Sequence, residues 1–352
     1  MIYAIRICLL ACLGILFPGV SGAVITQKDC IPTKNHLCDM VEKSATGASE
    51  LVITVMNWWD WGPNQGERME AWVKDTSNYK GKDFSLFGMS ELHSDMSADY
   101  EPIPLACPGS AEQLKAIDCL ARLLNEGQGG RASVRYAGGQ YREDGILYNT
   151  DQVERISDWI TIDLPRRSFL GVESILGKGR TSRKVMVGAR FRLKATGHTF
   201  HMYATHLDTH NCWKCRIRQT EKISTTVRER YERGDLPPIV VGDFNDSRTE
   251  KSYWADDREH VDVQEEMGKY FQDAGALFGY QLIDHIWVGK VEGFPGASEK
   301  WEIKGVDVDP NVRNPIALTN GKTMRVSAHR TIVGRLMPGS SFVKTSGSET
   351  RN

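Results

Sequence analysis

Carboxylates, carboxamides and imidazoles recur in this chain in one kind of setting, directly after short apolar runs. Asn57 follows Val52-Ile53-Thr54-Val55-Met56, Glu91 follows Leu86-Phe87-Gly88-Met89-Ser90, and His206 follows Tyr203-Ala204-Thr205. Asp243 and Asn245 follow Ile239-Val240-Val241-Gly242, Asp284 sits in Leu282-Ile283-Asp284-His285-Ile286-Trp287-Val288, and His329 ends Val326-Ser327-Ala328. If each run is a strand, a rigid sheet holds every one of these side chains at its end, where loops expose them. Oxygen donors of this type suit a hard divalent cation, and histidine gains or loses a proton near neutral pH. Singly, each residue has a plainer reading. An Asp after a strand usually forms a turn or caps a helix, Asn57 could close a turn, and His206 could satisfy a core carbonyl. A whole series of such placements in one order, from Asn57 to His329, is much harder to assign to chance.

Elements must position these groups. Strands are expected at Leu51 to Met56, Phe84 to Met89, Gly145 to Tyr148, Val185 to Leu193, Phe200 to Thr205, Pro238 to Val241, Leu282 to Val288 and Thr331 to Leu336, all rich in Val, Ile, Phe and Tyr between Gly or charged turns. Apolar residues returning at three- and four-residue intervals predict helices over Ala111 to Asn125 and Arg216 to Arg233. Loops are expected over Asp95 to Gly109 and Lys290 to Thr323. Strands mixed with few helices indicate a layered α/β protein rather than a bundle. No internal repeat and no long Pro/Gly/Ser linker interrupts the chain, so one domain is expected over 51–337, after an extension at 24–50 and before a polar tail at 338–352.

Composition sets bounds. With 40% hydrophobic and 25% charged residues in 352, a sizeable core is available, and collagen-like, disordered and multi-span membrane classes are excluded. Lys+Arg 44 against Asp+Glu 45 leaves a formal charge of −1, so a polyanion would have to be met by a local patch. Arg6, the apolar run Ile7 to Val20 and then Ser21-Gly22-Ala23 predict a signal peptide at 1–23 cleaved after Ala23. The run is shorter than the roughly 20 residues that span a bilayer. No later stretch is long and apolar enough for a membrane, so a secreted, soluble, monomeric product is expected. Cys8 and Cys12 leave with the signal, and the other cysteines are expected to pair locally in an oxidising compartment, Cys30 with Cys38, Cys107 with Cys119 and Cys212 with Cys215. The Cys212-Trp-Lys-Cys215 spacing also fits zinc or a redox dithiol, but no second such pair supports that.

The order Asn57, Glu91, Thr205-His206-Leu207, Gly242-Asp243-Phe244-Asn245, Asp284-His285-Ile286 and Ser327-Ala328-His329 resembles the endonuclease/exonuclease/phosphatase superfamily, of which deoxyribonuclease I is a familiar secreted member. The most specific matches are Pro238 to Asn245 and Tyr203 to Asp208, with Asp144 to Asn149 in support. The resemblance implies a four-layered α/β/β/α sandwich of two mixed β-sheets flanked by helices, with metal-assisted phosphoester hydrolysis at one rim. A phosphodiester repels an attacking hydroxide, so the reaction needs a hard cation, donors on the nonbridging oxygens and a base for water. On this resemblance Glu91 and Asn57 hold Mg²⁺ (or Mn²⁺ or Ca²⁺). Asp243 orients or deprotonates the water, and Asn245, two residues on along an extended segment, helps hold the substrate's oxygens. His206 and His329 flank the phosphate, with Asp284 behind His329 and Asp144, or Glu143, behind His206.

One position departs. Family members usually carry an aspartate directly before the last histidine, and here it is Ala328. That is expected to weaken cation affinity with activity retained, since every other position survives; the alternative is a phosphate-binding relative without turnover. Trp58, in Trp58-Trp59-Asp60-Trp61, is expected to line the cleft and stack on a base, sugar or headgroup, although most such tryptophans are core. Arg183, in a basic run with Arg166, Arg167, Lys178, Arg180 and Lys184, is expected to contact the substrate's phosphates, although scattered charge is more often a solvated loop. The favoured substrate is DNA or RNA, cleaved by a secreted nuclease. A phospholipid headgroup, cleaved by a sphingomyelinase-type lipid phosphodiesterase, or a phosphatase substrate is the alternative.

Overall fold

Strand runs that are apolar at every position, not at alternate ones, belong to strands covered on both faces. The computed structural model describes residues 50–58, 65–74, 84–92, 104–127, 136–165, 184–208, 213–246, 259–280, 282–309, 315–317, 323–325 and 329–339, all within the unit Gly47–Asn352. The expected signal segment, the extension short of residue 50, Cys30, Cys38 and the tail from 340 lie outside the described residues.

Along the chain come β1 (Leu51–Asn57), α1 (Gln65–Lys74), β2 (Leu86–Ser90), a short ladder of β3 (Leu105–Ala106) and β4 (Gln113–Leu114), α2 (Ala116–Gly127), and the hairpin β5 (Tyr136–Tyr141) and β6 (Asp144–Asn149). Then follow β7 (Val153–Arg155), β8 (Ile160–Asp163), β9 (Val185–Leu193), β10 (Thr199–His206), α3 (Trp213–Glu229), β11 (Ile239–Asp243), α4 (Glu259–Gly268), β12 (Phe271–Asp273) and α5 (Ala274–Leu277). The last are β13 (Asp284–Gly289), β14 (Trp301–Asp309), the pair β15 (Pro315–Ala317) and β16 (Thr323–Arg325), and β17 (Thr331–Pro338).

The first sheet has the order β14-β17-β1-β2-β6-β5 and the second β12-β13-β11-β10-β9-β7, with β8 also on β9. Each is mixed, β1–β2 being parallel in the first and β10–β11 in the second. Side chains alternate across each strand. Leu51, Ile53 and Val55 of β1 meet Met202, Ile239, Val241 and Ile286 in a core between the sheets. Met56, Phe87 and Met89 point the other way, onto Met69 and Trp72 of α1 and Ile117 and Leu120 of α2. Tyr203, Val240 and Trp287 likewise pack outward on Ile223 and Val227 of α3 and Val263 and Met267 of α4. Those three clusters make the expected α/β/β/α layering, each fully buried aliphatic side chain contributing roughly 1.5–3 kcal/mol.

All eight expected strands and both expected helices are present. The loop expected over Lys290 to Thr323 is corrected: it contains β14, an edge strand whose alternation Trp301, Ile303 is shifted by a bulge before Val306. Cys107 and Cys119 are disulfide-bonded, tying the segment before β4 to α2. Cys215 is disulfide-bonded too, while Cys212 lies outside the described residues.

Register brings the chemistry to one rim. The parallel pairs end together, Asn57 opposite Ser90 and His206 opposite Asp243, and Asp284 stands opposite Asp243 on the next strand. Gly242 makes the last step possible: with φ +135°, a Cβ there would lie 1.8 Å from the Thr205 carbonyl oxygen, so only glycine can precede Asp243.

Candidate active site

Asp243 ends β11, buried, and gathers neighbours from both sheets. Asn57 Nδ2 donates to its Oδ2 at 2.8 Å and to Glu91 Oε1 at 3.3 Å. His206 Nε2 lies 3.7 Å from Asp243 Oδ2 and 3.7 Å from Glu91 Oε1. His329, two residues before β17, donates from Nδ1 to Asp284 Oδ2 at 2.8 Å and lies 3.7 Å from Asp243 Oδ2. Asn57, Glu91, His206, Asp243, Asp284 and His329 therefore share one site.

Several expectations are corrected. Asn245 is not on an extended segment: β11 stops at Asp243, and Asn245 takes a left-handed backbone with φ 50°. Its backbone N–H donates to Asp243 Oδ1 at 2.7 Å and its Nδ2 to the Leu207 carbonyl at 3.0 Å, so it braces the Asp243 carboxylate. Behind His206 stands Glu143, not Asp144: Glu143 Oε1 is 3.3 Å from His206 Nδ1. Asp144 is fully buried with neither carboxyl oxygen hydrogen-bonded. Glu143 stands in the turn just before β6 while Asp144 opens the strand, and it is the Glu143 carboxylate that meets the imidazole. Trp58 does not line a cleft. It is 0% exposed and stacks edge-on against Trp72 at 5.7 Å, in the cluster under α1 and α2. Arg183 and Ala328, like Trp61, lie outside the described residues.

Sequence reasoning passed over Lys184, which it placed in a basic run. The residue is 4% exposed, its Nζ donating to Glu143 Oε1 at 2.6 Å and lying 3.0 Å from His206 Nδ1. Its place directly at the head of an apolar strand was the available signal.

Electrostatics follow from this crowding. Burial pushes the Glu91 carboxyl up, aided by Glu143 and opposed by His206. Burial also raises Asp144 well above the carboxylate range, with Glu143 adding repulsion. Glu143 itself is lowered, since Lys184 and His206 outweigh its burial. Burial and Lys184 oppose a proton on His206, but Glu143 and Asp243 prevail and raise it to about 9. Against burial, Asp284 and Asp243 raise His329 to about 9. Asp284 is raised by burial and Asp243, with His329 pulling the other way.

Two sets of ligand atoms, Glu91 with His206 and Asp243, and Asp243 with Asp284 and His329, each lie within 4.8 Å of one another. Glu91 Oε2 and Asp284 Oδ1 are buried without a hydrogen-bond partner. Buried carboxylate oxygens lacking donors are costly unless a cation meets them, so this donor set fits a hard divalent ion.

Beside the site, His285 donates from Nδ1 to Asp273 Oδ2 at 3.0 Å and from Nε2 to the Asp246 carbonyl at 2.8 Å, anchoring the turn that holds Asn245. Against burial, Asp273 and the carbonyl raise it to about 9. Its folded value exceeds the unfolded 6.5, so its stabilisation is complete below about pH 6.5 and is lost as pH rises through 9. We expect His285→Gln to flatten the fall in urea-unfolding free energy between those limits by up to about 3 kcal/mol. An unaltered slope would remove this assignment.

The fold is similar to that of solved endonuclease/exonuclease/phosphatase family proteins. A Bacteroides thetaiotaomicron protein of that family is 16% identical with a TM-score of 0.52, over 82% of this chain and 94% of that one. The mannosyl-6-phosphatase Bt3783 of the same organism is 15% identical with a TM-score of 0.51, over 82% and 99%. The human Nocturnin catalytic domain, solved with a bound sulfate anion, is 14% identical with a TM-score of 0.51, over 82% and 94%. No protein-family model and no curated protein matches the sequence.

Proposed function

We propose that this protein is a divalent-metal-dependent phosphoester hydrolase, a phosphodiesterase acting as a nuclease by in-line attack of water. The observation that carries the reading is the convergence on Asp243 of two acid-backed histidines and a donor-poor carboxylate from both sheets. Glu91 and Asn57 would hold the cation, which when bound supplies positive charge to the phosphoryl oxygens and lowers the pKa of water. Asp243, its carboxylate fixed by Asn57 and Asn245, orients the attacking water and takes its proton. His206 and His329 donate to the phosphoryl oxygens, most strongly as charge grows in the transition state. Glu143 and Asp284 keep those donors charged and aimed.

Export is part of the proposal: residues 1–23 are removed and the enzyme acts outside the cell as a monomer. Among the described residues no helix is long and apolar enough to cross a membrane. The test incubates mature protein with plasmid DNA, bis-p-nitrophenyl phosphate and sphingomyelin vesicles, with Mg²⁺, Mn²⁺ or chelator. Metal-dependent cleavage of DNA and of the small diester is expected. Phosphate binding with no hydrolysis of any ester would instead make the chain a non-catalytic relative, and cleavage of sphingomyelin alone a lipid phosphodiesterase.

A further inference from the structure

Among the described residues three non-glycines adopt the left-handed backbone: Glu91 (φ 54°), Asn245 (φ 50°) and Arg142 (φ 56°). Two of them belong to the site. Strain of this kind persists where surroundings and function hold it. Arg142 opens the two-residue turn between β5 and β6, and the second turn residue is Glu143, whose carboxylate reaches His206. At a position of positive φ in such a hairpin, Gly, Asn or Asp is the low-energy choice. Arginine is there instead.

Its guanidinium is not neutralised by the fold. Arg142 is 2% exposed, yet its Nε and Nη1 have no hydrogen-bond partner. Although Glu143 and Asp144 follow it directly, it pairs with neither, so it does not serve to neutralise the acids of the site. Its one contact of note is the ring of half-buried Tyr141, 5.3 Å from the guanidinium carbon. A buried guanidinium cannot shed its charge and is destabilising without a partner. A phosphate supplies one, its oxygens accepting charge-assisted hydrogen bonds from the guanidinium. The scissile phosphate already has His206 and His329, so the partner is a neighbouring phosphate. An aromatic ring next to a cation is also the means by which single strands are held.

We propose that Arg142 is a substrate-binding residue that takes a phosphate adjacent to the scissile one, which makes the preferred substrate a nucleic-acid strand with consecutive phosphates. This rests on the phosphoester-hydrolase reading. The test compares wild type, Arg142→Gly and Arg142→Lys in thermal unfolding, in anisotropy binding of a single-stranded oligonucleotide under chelator, and in steady-state cleavage of that oligonucleotide and of bis-p-nitrophenyl phosphate with Mg²⁺. Arg142→Gly relieves the backbone and removes the unpaired charge, so its Tm rises while oligonucleotide binding weakens about tenfold or more. Its loss in kcat/KM is about tenfold greater on the oligonucleotide than on the small diester, carried by KM, and Arg142→Lys recovers part of it. A lower Tm for Arg142→Gly, equal losses on both substrates, or unchanged oligonucleotide binding overturns the assignment. The two readings separate cleanly. Arg142-dependent binding without hydrolysis of either ester rejects the enzyme and keeps Arg142, whereas hydrolysis indifferent to Arg142→Gly does the reverse.

Discussion

Replacing His206 by alanine is expected to lower kcat on bis-p-nitrophenyl phosphate by about 10²–10⁴-fold, with KM little changed. The imidazole presents Nε2 to the space between Glu91 and Asp243, 3.7 Å from each, while Glu143 holds its proton from the other side. A donor that gains strength only as the phosphoryl oxygens gain charge affects turnover and leaves ground-state binding alone. His329→Ala should cost a similar factor, because Asp284 plays for it the part that Glu143 plays for His206. The double variant should fall well short of the product of the two, since the histidines act on one phosphate as a unit. Retention of wild-type kcat in His206→Ala would dismiss the mechanism.

The second large effect is on stability. Lys184→Met is expected to destabilise the fold by about 3–5 kcal/mol, because it leaves the buried Glu143 carboxylate without its 2.6 Å partner and next to the buried Asp144. Chemical denaturation measures it directly. Pairing it with Glu143→Leu should restore most of the loss, since the buried ion pair is then removed together and His206, unlike a lysine or a carboxylate so placed, can shed its proton near neutral pH. A single variant within about 0.5 kcal/mol of wild type would show the pair to be energetically idle.

Reading from sequence succeeded where chemistry and geometry coincide along one strand. β10, β11 and β13 are central and buried on both faces, so their apolar runs stand out, and His206, Asp243 and Asp284 at their ends mark one rim. Elements shaped by their neighbours were harder to see. β5, Tyr136-Ala137-Gly138-Gly139-Gln140-Tyr141, is not among the expected strands; a Cβ at Gly139 would lie 2.2 Å from the ring of Trp159, so glycine there admits that indole. Trp58 was misplaced because adjacency to Asn57 says nothing about face: successive side chains leave a strand on opposite sides. Lys184 was misplaced because its partners are distant in sequence, Glu143 in the turn between β5 and β6 of the opposite sheet and His206 at the end of β10. Spacing along the chain carries no trace of such a meeting.

Three bridges, Asn57 to Asp243, Lys184 to Glu143 and His329 to Asp284, join the first sheet to the second at this rim. Neither half of the sandwich holds a working fragment of the site. Refolding chains should therefore regain activity only at the final docking event, and enzymatic rate would serve as a clock for it.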